Sequence, residues 1–195
     1  TGASVAGGPG LDGEGGRDFG AVAPVAGGLG SGTGDAVVHG ARSGPGTNFL
    51  AVEVYATGLA ATVTKIVQHN LTNVRLVHAD AVQVLENMLG PQSVEELWIF
   101  FADPWPKNRH RKRRMVDPAF AELAASRLSF GGSLRLATDW ADYAMQMRDV
   151  LAACDSLVNP HAGFAPRFAG RVMTRFEEKG LASGRAIYDL ELCRT

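Results

Sequence analysis

From about Asn48 the apolar positions fall into two alternating periods. FLAVEV (49–54) and VRLVHA (74–79) are short apolar runs of the kind that form buried strands. Between them Leu59, Val63, Ile66 and Val67 share one helical face, which completes a β-α-β unit. A second helix is predicted after Asp80, with Val82, Leu85 and Leu89 inward. There follow a strand LWIFFA (97–102), a helix opening at Asp117-Pro118, a strand SLRLA (133–137), and a helix carrying Trp140, Tyr143, Met147 and Val150. The closing stretch GRAIYDLELC (184–193) alternates as a half-buried antiparallel edge strand does. Strands alternating with helices predict the α/β class, with a mostly parallel sheet covered on both faces. Ligands in such sheets bind at the carboxyl ends of the strands, so the residues just after each strand carry the most information.

Composition narrows this picture. At 195 residues the chain has the size of one domain, long enough to bury a sizeable core. Of 24 glycines, 13 lie in the first 34 residues. Residues 1–18 are so rich in glycine and so poor in large apolar groups that a disordered tail is expected there, with residues 19–195 as a single domain. No uncharged apolar run approaches the ~20 residues of a membrane span, and no basic segment followed by an apolar core opens the chain, so a soluble cytoplasmic protein is expected. Cys154 and Cys193 lie far apart without CxxC spacing and the five histidines are scattered, so no metal site is expected.

The formal net charge of −1 hides a polarised distribution, because most Lys and Arg lie from Lys107 onward. In the early half the chemistry is a glycine loop, LGSGTGD (29–35), ahead of the short helix AVVHGA; its backbone can approach a ligand and offer amides to it. The loop departs from the dinucleotide fingerprint, since Asp35 stands where Gly or Ala is expected. Glu53 interrupts FLAVEV about 20 residues later, where an acid can accept both hydroxyls of a ribose. Asp80 follows the next strand, and Asp80-x-x-Gln83 serves equally as a helix cap or as a ligand contact.

Asp103 ends LWIFFA and is held by Pro104 and Pro106, whose fixed φ values stiffen the turn. Either a catalytic carboxylate or a plain turn fits. Six Lys/Arg then fall within residues 107–114, KNRHRKRR. Such a run is comfortable when extended in solvent or laid along an anion such as RNA. Asp139 reads as an N-cap for a helix starting at Trp140, and Thr174-x-x-Glu177 as a capping box closed by Gly180.

A glycine loop followed by acids at three strand ends resembles the S-adenosylmethionine-dependent methyltransferases. DPWPKNRHRKRR (103–114), ATDW (137–140) and TRFE (174–177) narrow the resemblance to the bacterial tRNA (guanine-N7-)-methyltransferases, over about Gly28 to Glu191. The resemblance implies a Rossmann-like, seven-stranded class I methyltransferase sheet and methylation of a guanine N7 in the tRNA variable loop. It implies cofactor contacts from Glu53, Asp80 and Asp103; the glycine loop, with Gly28, Gly30, Gly32 and Gly34, is expected to lie on the same cofactor, and Asp103 is expected to be catalytic by stabilising the charge that grows on the guanine. It further implies tRNA contacts from Lys107, Arg109, His110, Arg111, Lys112, Arg113, Arg114, Asp139, Thr174, Arg175, Phe176 and Glu177. The chain departs from the family at Gly28, where the family has Glu, so one cofactor contact is expected to be missing, and Gly27 with Gly28 is expected to weaken the first strand. Two rivals remain: an amino-group methyltransferase using the DPWP turn, and a non-catalytic RNA-binding protein on the same fold.

Overall fold

The computed structural model describes residues 24–195; the tail expected at 1–18 lies outside them. In chain order the elements are β1 (Val25–Leu29), α1 (Asp35–Ser43), β2 (Asn48–Glu53), α2 (Ala56–Gln68), β3 (Val74–His78), α3 (Ala81–Asn87) and β4 (Val94–Phe100). A 3-10 helix (Asn108–Arg113) leads into α4 (Pro118–Arg127), β5 (Leu128–Thr138), α5 (Ala141–Ala152), β6 (Leu157–Val158), α6 (Arg175–Ala182) and β7 (Tyr188–Arg194). The seven strands lie in the order β3-β2-β1-β4-β5-β7-β6. All pairs are parallel except β5 with β7 and β7 with β6.

The sheet has a core on each face. Leu29, Leu50, Leu97, Ile99 and Leu136 pack against α3, α4 and α5 through Leu85, Phe120, Tyr143 and Met147. Ala26, Phe49, Leu76 and Trp98 pack against α1 and α2 through Val37, Val38 and Ile66. The strand order reverses between β1 and β4, and the crevice above that reversal is where such sheets bind ligands.

Three local expectations change. The antiparallel edge is a pair rather than one strand: β7 pairs with β5 on one side, and β6, two residues long, pairs outside it. Two residues are too few to show a period, so β6 is invisible to pattern reading. On α2 the buried face is Gly58, Thr62 and Ile66, and Val67 is exposed. That face is built from small residues because the glycine loop lies on it: a Cβ on Gly58 would be 2.5 Å from Gly32 O. Leu89 lies beyond the end of α3 but is still buried.

Gly27 and Gly28 sit inside a fully buried β1 paired to β2 and β4. A Cβ on Gly28 would be 2.6 Å from Val37 Cγ2, and one on Gly27 would be 3.1 Å from Leu97 Cδ2. The missing side chain at Gly28 therefore lets α1 lie close on the strand. Gly28→Ala should destabilise the fold by about 1–3 kcal/mol, the usual cost of overpacking. Gly46→Ala, with open space around its Cβ, should stay within about 0.5 kcal/mol of the parent. Urea midpoints of the two variants check this.

Candidate cofactor and RNA site

The loop after β1 turns through three left-handed glycines, Gly30 (φ 69°), Gly32 (φ 56°) and Gly34 (φ 76°), a conformation that L side chains seldom adopt. A Cβ on Gly30 or Gly32 would meet nothing within 4 Å, so both backbones face open space. A Cβ on Gly34 would be 2.4 Å from Thr62 Oγ1, so that glycine serves packing. Ser31 N donates to Val52 O (2.9 Å) and joins the loop to β2.

Glu53 holds this loop in place. Its buried carboxylate accepts from Gly32 N (2.6 Å) through Oε2, and from Val54 N (2.9 Å) and Tyr55 N (3.0 Å) through Oε1. A carboxylate has about four acceptor sites, so roughly one remains for a ligand hydroxyl. Glu53 stands at the expected strand end, and much of its hydrogen-bonding capacity orders the loop.

A cavity of about 440 Å³ opens above these residues. Its lining includes Gly28, Gly30 and Gly32, the acids Asp35 and Glu53, the aromatic rings of Tyr55, Trp98 and Phe100, and the segment Thr174–Phe176. Asp80 and Asp103 do not line it. Asp80 is exposed and caps α3, its Oδ1 accepting from Val82 N (2.9 Å) and Gln83 N (3.2 Å).

Beyond the cavity, β4 ends in a contorted turn. Phe101 (φ 59°) and Trp105 (φ 40°) are non-glycine residues in left-handed conformations on either side of Asp103. Such strain persists only where surrounding structure over-determines it, and it clusters at functional sites. Arg114 supplies part of that support. It is buried, donates to Pro104 O (2.8 Å), Gln146 Oε1 (2.6 Å) and Asp142 Oδ2 (2.6 Å), and lies over the Tyr143 ring. Arg114, expected to face RNA, is instead buried, and each of its three guanidinium nitrogens donates within the fold, tying the turn to α5. Asp103 is exposed and makes no hydrogen bond or ion pair with the described residues.

The basic run is a turn of 3-10 helix and not an extended strip. Asp142 explains how the like charges tolerate this, because it pairs with Arg111 (3.0 Å) as well as Arg114. The hydrogen bond from Arg114 leads in holding the Asp142 carboxyl below its usual range. Arg113 lies over the Trp105 ring at 4.9 Å, and His110 meets that ring edge-on. Lys107, Arg109, Arg111, Lys112 and Arg113 remain exposed.

Asp139 does not cap α5. Trp140 is the residue before that helix, and its N–H donates to Thr138 Oγ1. Asp139 instead accepts from Arg185 Nε through Oδ2 (2.8 Å). Gly180 does not stop α6 but lies within it; a Cβ there would be 2.9 Å from Asp139 Oδ2. Thr174 caps α6 as expected, accepting from Glu177 N (3.1 Å). Glu177 does not complete the box, since its buried carboxylate takes a forked pair from Arg167 (2.8 and 3.2 Å) and lies 3.3 Å from Arg171.

Arg171 is fully buried, donates to Asp189 Oδ2 (2.9 Å), and lies against the rings of Phe100 and Phe101. Burial lowers the Arg171 pKa and raises that of Asp189. This network links α6, β7 and the end of β4. No spacing rule marks Arg167, Arg171, Arg185 or Asp189, because their partners lie 10 to 46 residues away in sequence.

Residues 23–190 match the family described as "Putative methyltransferase". The tRNA (guanine-N(7)-)-methyltransferase of Paenarthrobacter aurescens (strain TC1) is 42% identical over 88% of this chain and 73% of its own length. The enzyme of the same name from Methylococcus capsulatus is 44% identical over 88% of this chain and 75% of its own. The chain belongs to the tRNA (guanine-N7-)-methyltransferase family. The crystal structure of the 16S rRNA methyltransferase KamB superposes with a TM-score of 0.64 at 17% identity, over 88% of each chain, and supports the class I methyltransferase fold.

The cavity fits the S-adenosylmethionine that this family's chemistry requires. Gly30 and Gly32 leave an open cradle at its floor, and Ser31 Oγ is buried there without a partner, as a hydroxyl awaiting a ligand would be. Glu53→Ala should weaken S-adenosylmethionine binding by about 1.5–3 kcal/mol, through loss of hydrogen bonds to a charged group. Calorimetric titration checks this, and unchanged affinity would remove Glu53 from the site.

Proposed function

We propose that the chain transfers a methyl group from S-adenosylmethionine to N7 of a guanine in tRNA, in the variable loop that the family resemblance implies. One observation carries the reading: Phe100 lines the cavity, Asp103 stands three residues further on, and the exposed cations follow directly. Cofactor cavity, free carboxylate and anion-binding surface thus meet at one end of β4. A tRNA substrate supports a cytoplasmic location. Among the described residues, no helix is long and apolar enough to cross a membrane.

S-adenosylmethionine supplies a methyl group on a positively charged sulfur. Guanine N7 carries an in-plane lone pair and no proton, so a C–N bond forms as the C–S bond breaks and the sulfur keeps the electron pair. No general base is needed. What the chain supplies is alignment, which can account for about 7–11 kcal/mol of such a barrier, and stabilisation of the charge that appears on the purine.

Asp103, without a partner among the described residues, accepts from the guanine N1–H and amino group and stabilises that charge. Asp139 grips the base through Oδ1, while Arg185, in the segment after α6, donates to Oδ2 and Gly180 of α6 leaves room for that carboxylate. Thr174, Arg175 and Phe176 close the cavity wall. Lys107, Arg109, Lys112 and Arg113 receive phosphates, with Arg111 shared between RNA and Asp142.

Transfer of labelled methyl to bulk tRNA, followed by nucleoside analysis, tests the reading; 7-methylguanosine is the expected product. Methyl on an exocyclic amine would establish an amino-group enzyme, and tRNA binding without cofactor binding would establish a non-catalytic RNA-binding protein. Asp103→Asn should lower single-turnover transfer by ~10²-fold or more at saturating tRNA and cofactor, with both affinities largely kept. Replacing Arg109 and Lys112 should flatten the log–log dependence of tRNA affinity on salt by roughly 1.4–1.8, using about 0.7–0.9 per phosphate contact. An unchanged slope in filter-binding titrations would make the run a bystander.

A further inference from the structure

S-adenosylmethionine ends in an α-ammonium and an α-carboxylate, and each must find an opposite charge when it leaves water. Two acids line the cavity, Asp35 and Glu53. Glu53 already accepts three backbone amides. Position 28, where the family resemblance places an acid, is a glycine whose Cβ would collide with Val37, so a side chain there would displace α1.

Asp35 is the acid that remains. It opens α1 directly after the left-handed Gly34, and its side chain is 40% exposed. Burial raises its pKa, but hydrogen bonds from Lys65 and Thr33 and the charge of Lys65 outweigh burial and hold it below the usual range. Lys65 takes Oδ1 and Thr33 Oγ1 takes Oδ2 (2.6 Å), which leaves roughly two of the four acceptor sites of a carboxylate open. Lys65 also donates to Thr33 O (2.8 Å), so the group is fixed to the glycine loop. Arg175 lines the same cavity, makes no hydrogen bond or ion pair with the described residues, and its charge reaches Asp35.

We propose that Asp35 receives the α-ammonium of S-adenosylmethionine and Arg175 its α-carboxylate, so that the first turn of α1 supplies the acid absent from position 28. This rests on reading the cavity as the cofactor site. Three thioether ligands, none with a charged sulfur, separate the contacts: S-adenosylhomocysteine carries both groups, its decarboxylated form only the ammonium, and methylthioadenosine neither.

Calorimetric titration of the full chain with each ligand provides the test. Asp35→Asn should weaken binding of the first two about tenfold, in the range for hydrogen bonds to charged groups, and leave methylthioadenosine within about twofold. Arg175→Gln should weaken S-adenosylhomocysteine alone. Lys65→Met removes the internal partner of Asp35 and should keep the preference for the first two ligands over the third. Equal weakening of all three ligands by Asp35→Asn, as for a residue that only orders the loop, would overturn the proposal, and so would no weakening of any. Unselective behaviour of Arg175→Gln would overturn its half. A parent chain that bound none of the three would overturn the cofactor reading itself, a result distinguishable from the others.

Discussion

The Glu53 carboxylate, accepting three backbone amides from the glycine loop and from the end of β2, is the contact on which the cofactor half of the molecule depends. A loop with three left-handed glycines has much conformational freedom to lose on folding. A buried acceptor that fixes Gly32 removes much of that freedom at one point. The remaining constraints are steric: α1 lies on Gly28, Thr62 lies on Gly34, and Gly58 leaves room for Gly32 O. The cavity floor is thus made of backbone, and Gly28, Gly34 and Gly58 carry no side chain because a Cβ there would collide with Val37, Thr62 or the loop itself.

The other half is held by charge taken out of solvent. Arg114 ties the DPWP turn to α5, and Arg171 ties α6 to β7 beneath Phe100 and Phe101. Buried guanidiniums bring little net stability when compared with apolar replacements. They do fix direction, because a planar fork with several donors admits few arrangements. Both arginines reach the end of β4 or the chain that follows it, Arg171 against the rings of Phe100 and Phe101 before Asp103 and Arg114 at Pro104 O after it. A site that relies on alignment rather than proton transfer has reason to place its rigid groups there.

Two groups of basic side chains in this protein differ in their physics. Arg114 and Arg171 lie buried against carboxylates and rings, where removing one partner would strand another charge. Lys107, Arg109 and Lys112 stand in solvent, where their charges are screened by salt and available to a polyanion. The run KNRHRKRR contains members of both, and its last residue belongs to the interior although its neighbours do not.

That division marks what the sequence determined and what only the tertiary structure decided. Apolar periodicity identified four of the five parallel strands and the helices between them, because burial on a sheet or helix face imposes a period on local sequence. It also placed the glycine loop and the acids Glu53, Asp80 and Asp103 at strand ends, since strand ends are local features. The same local reading offered Asp139 as a cap and laid the basic run out in solvent or along an anion. The structure gives Asp139 to Arg185, 46 residues away, and gives Arg114 to Asp142, 28 residues away. It likewise shows why β1 keeps its glycines, a fact that depends on Val37 lying across the strand. Sequence spacing records which residues share a face of one element. Which carboxylate a guanidinium reaches, and how closely a helix lies on a strand, are set by the packing of elements against one another and have no local period.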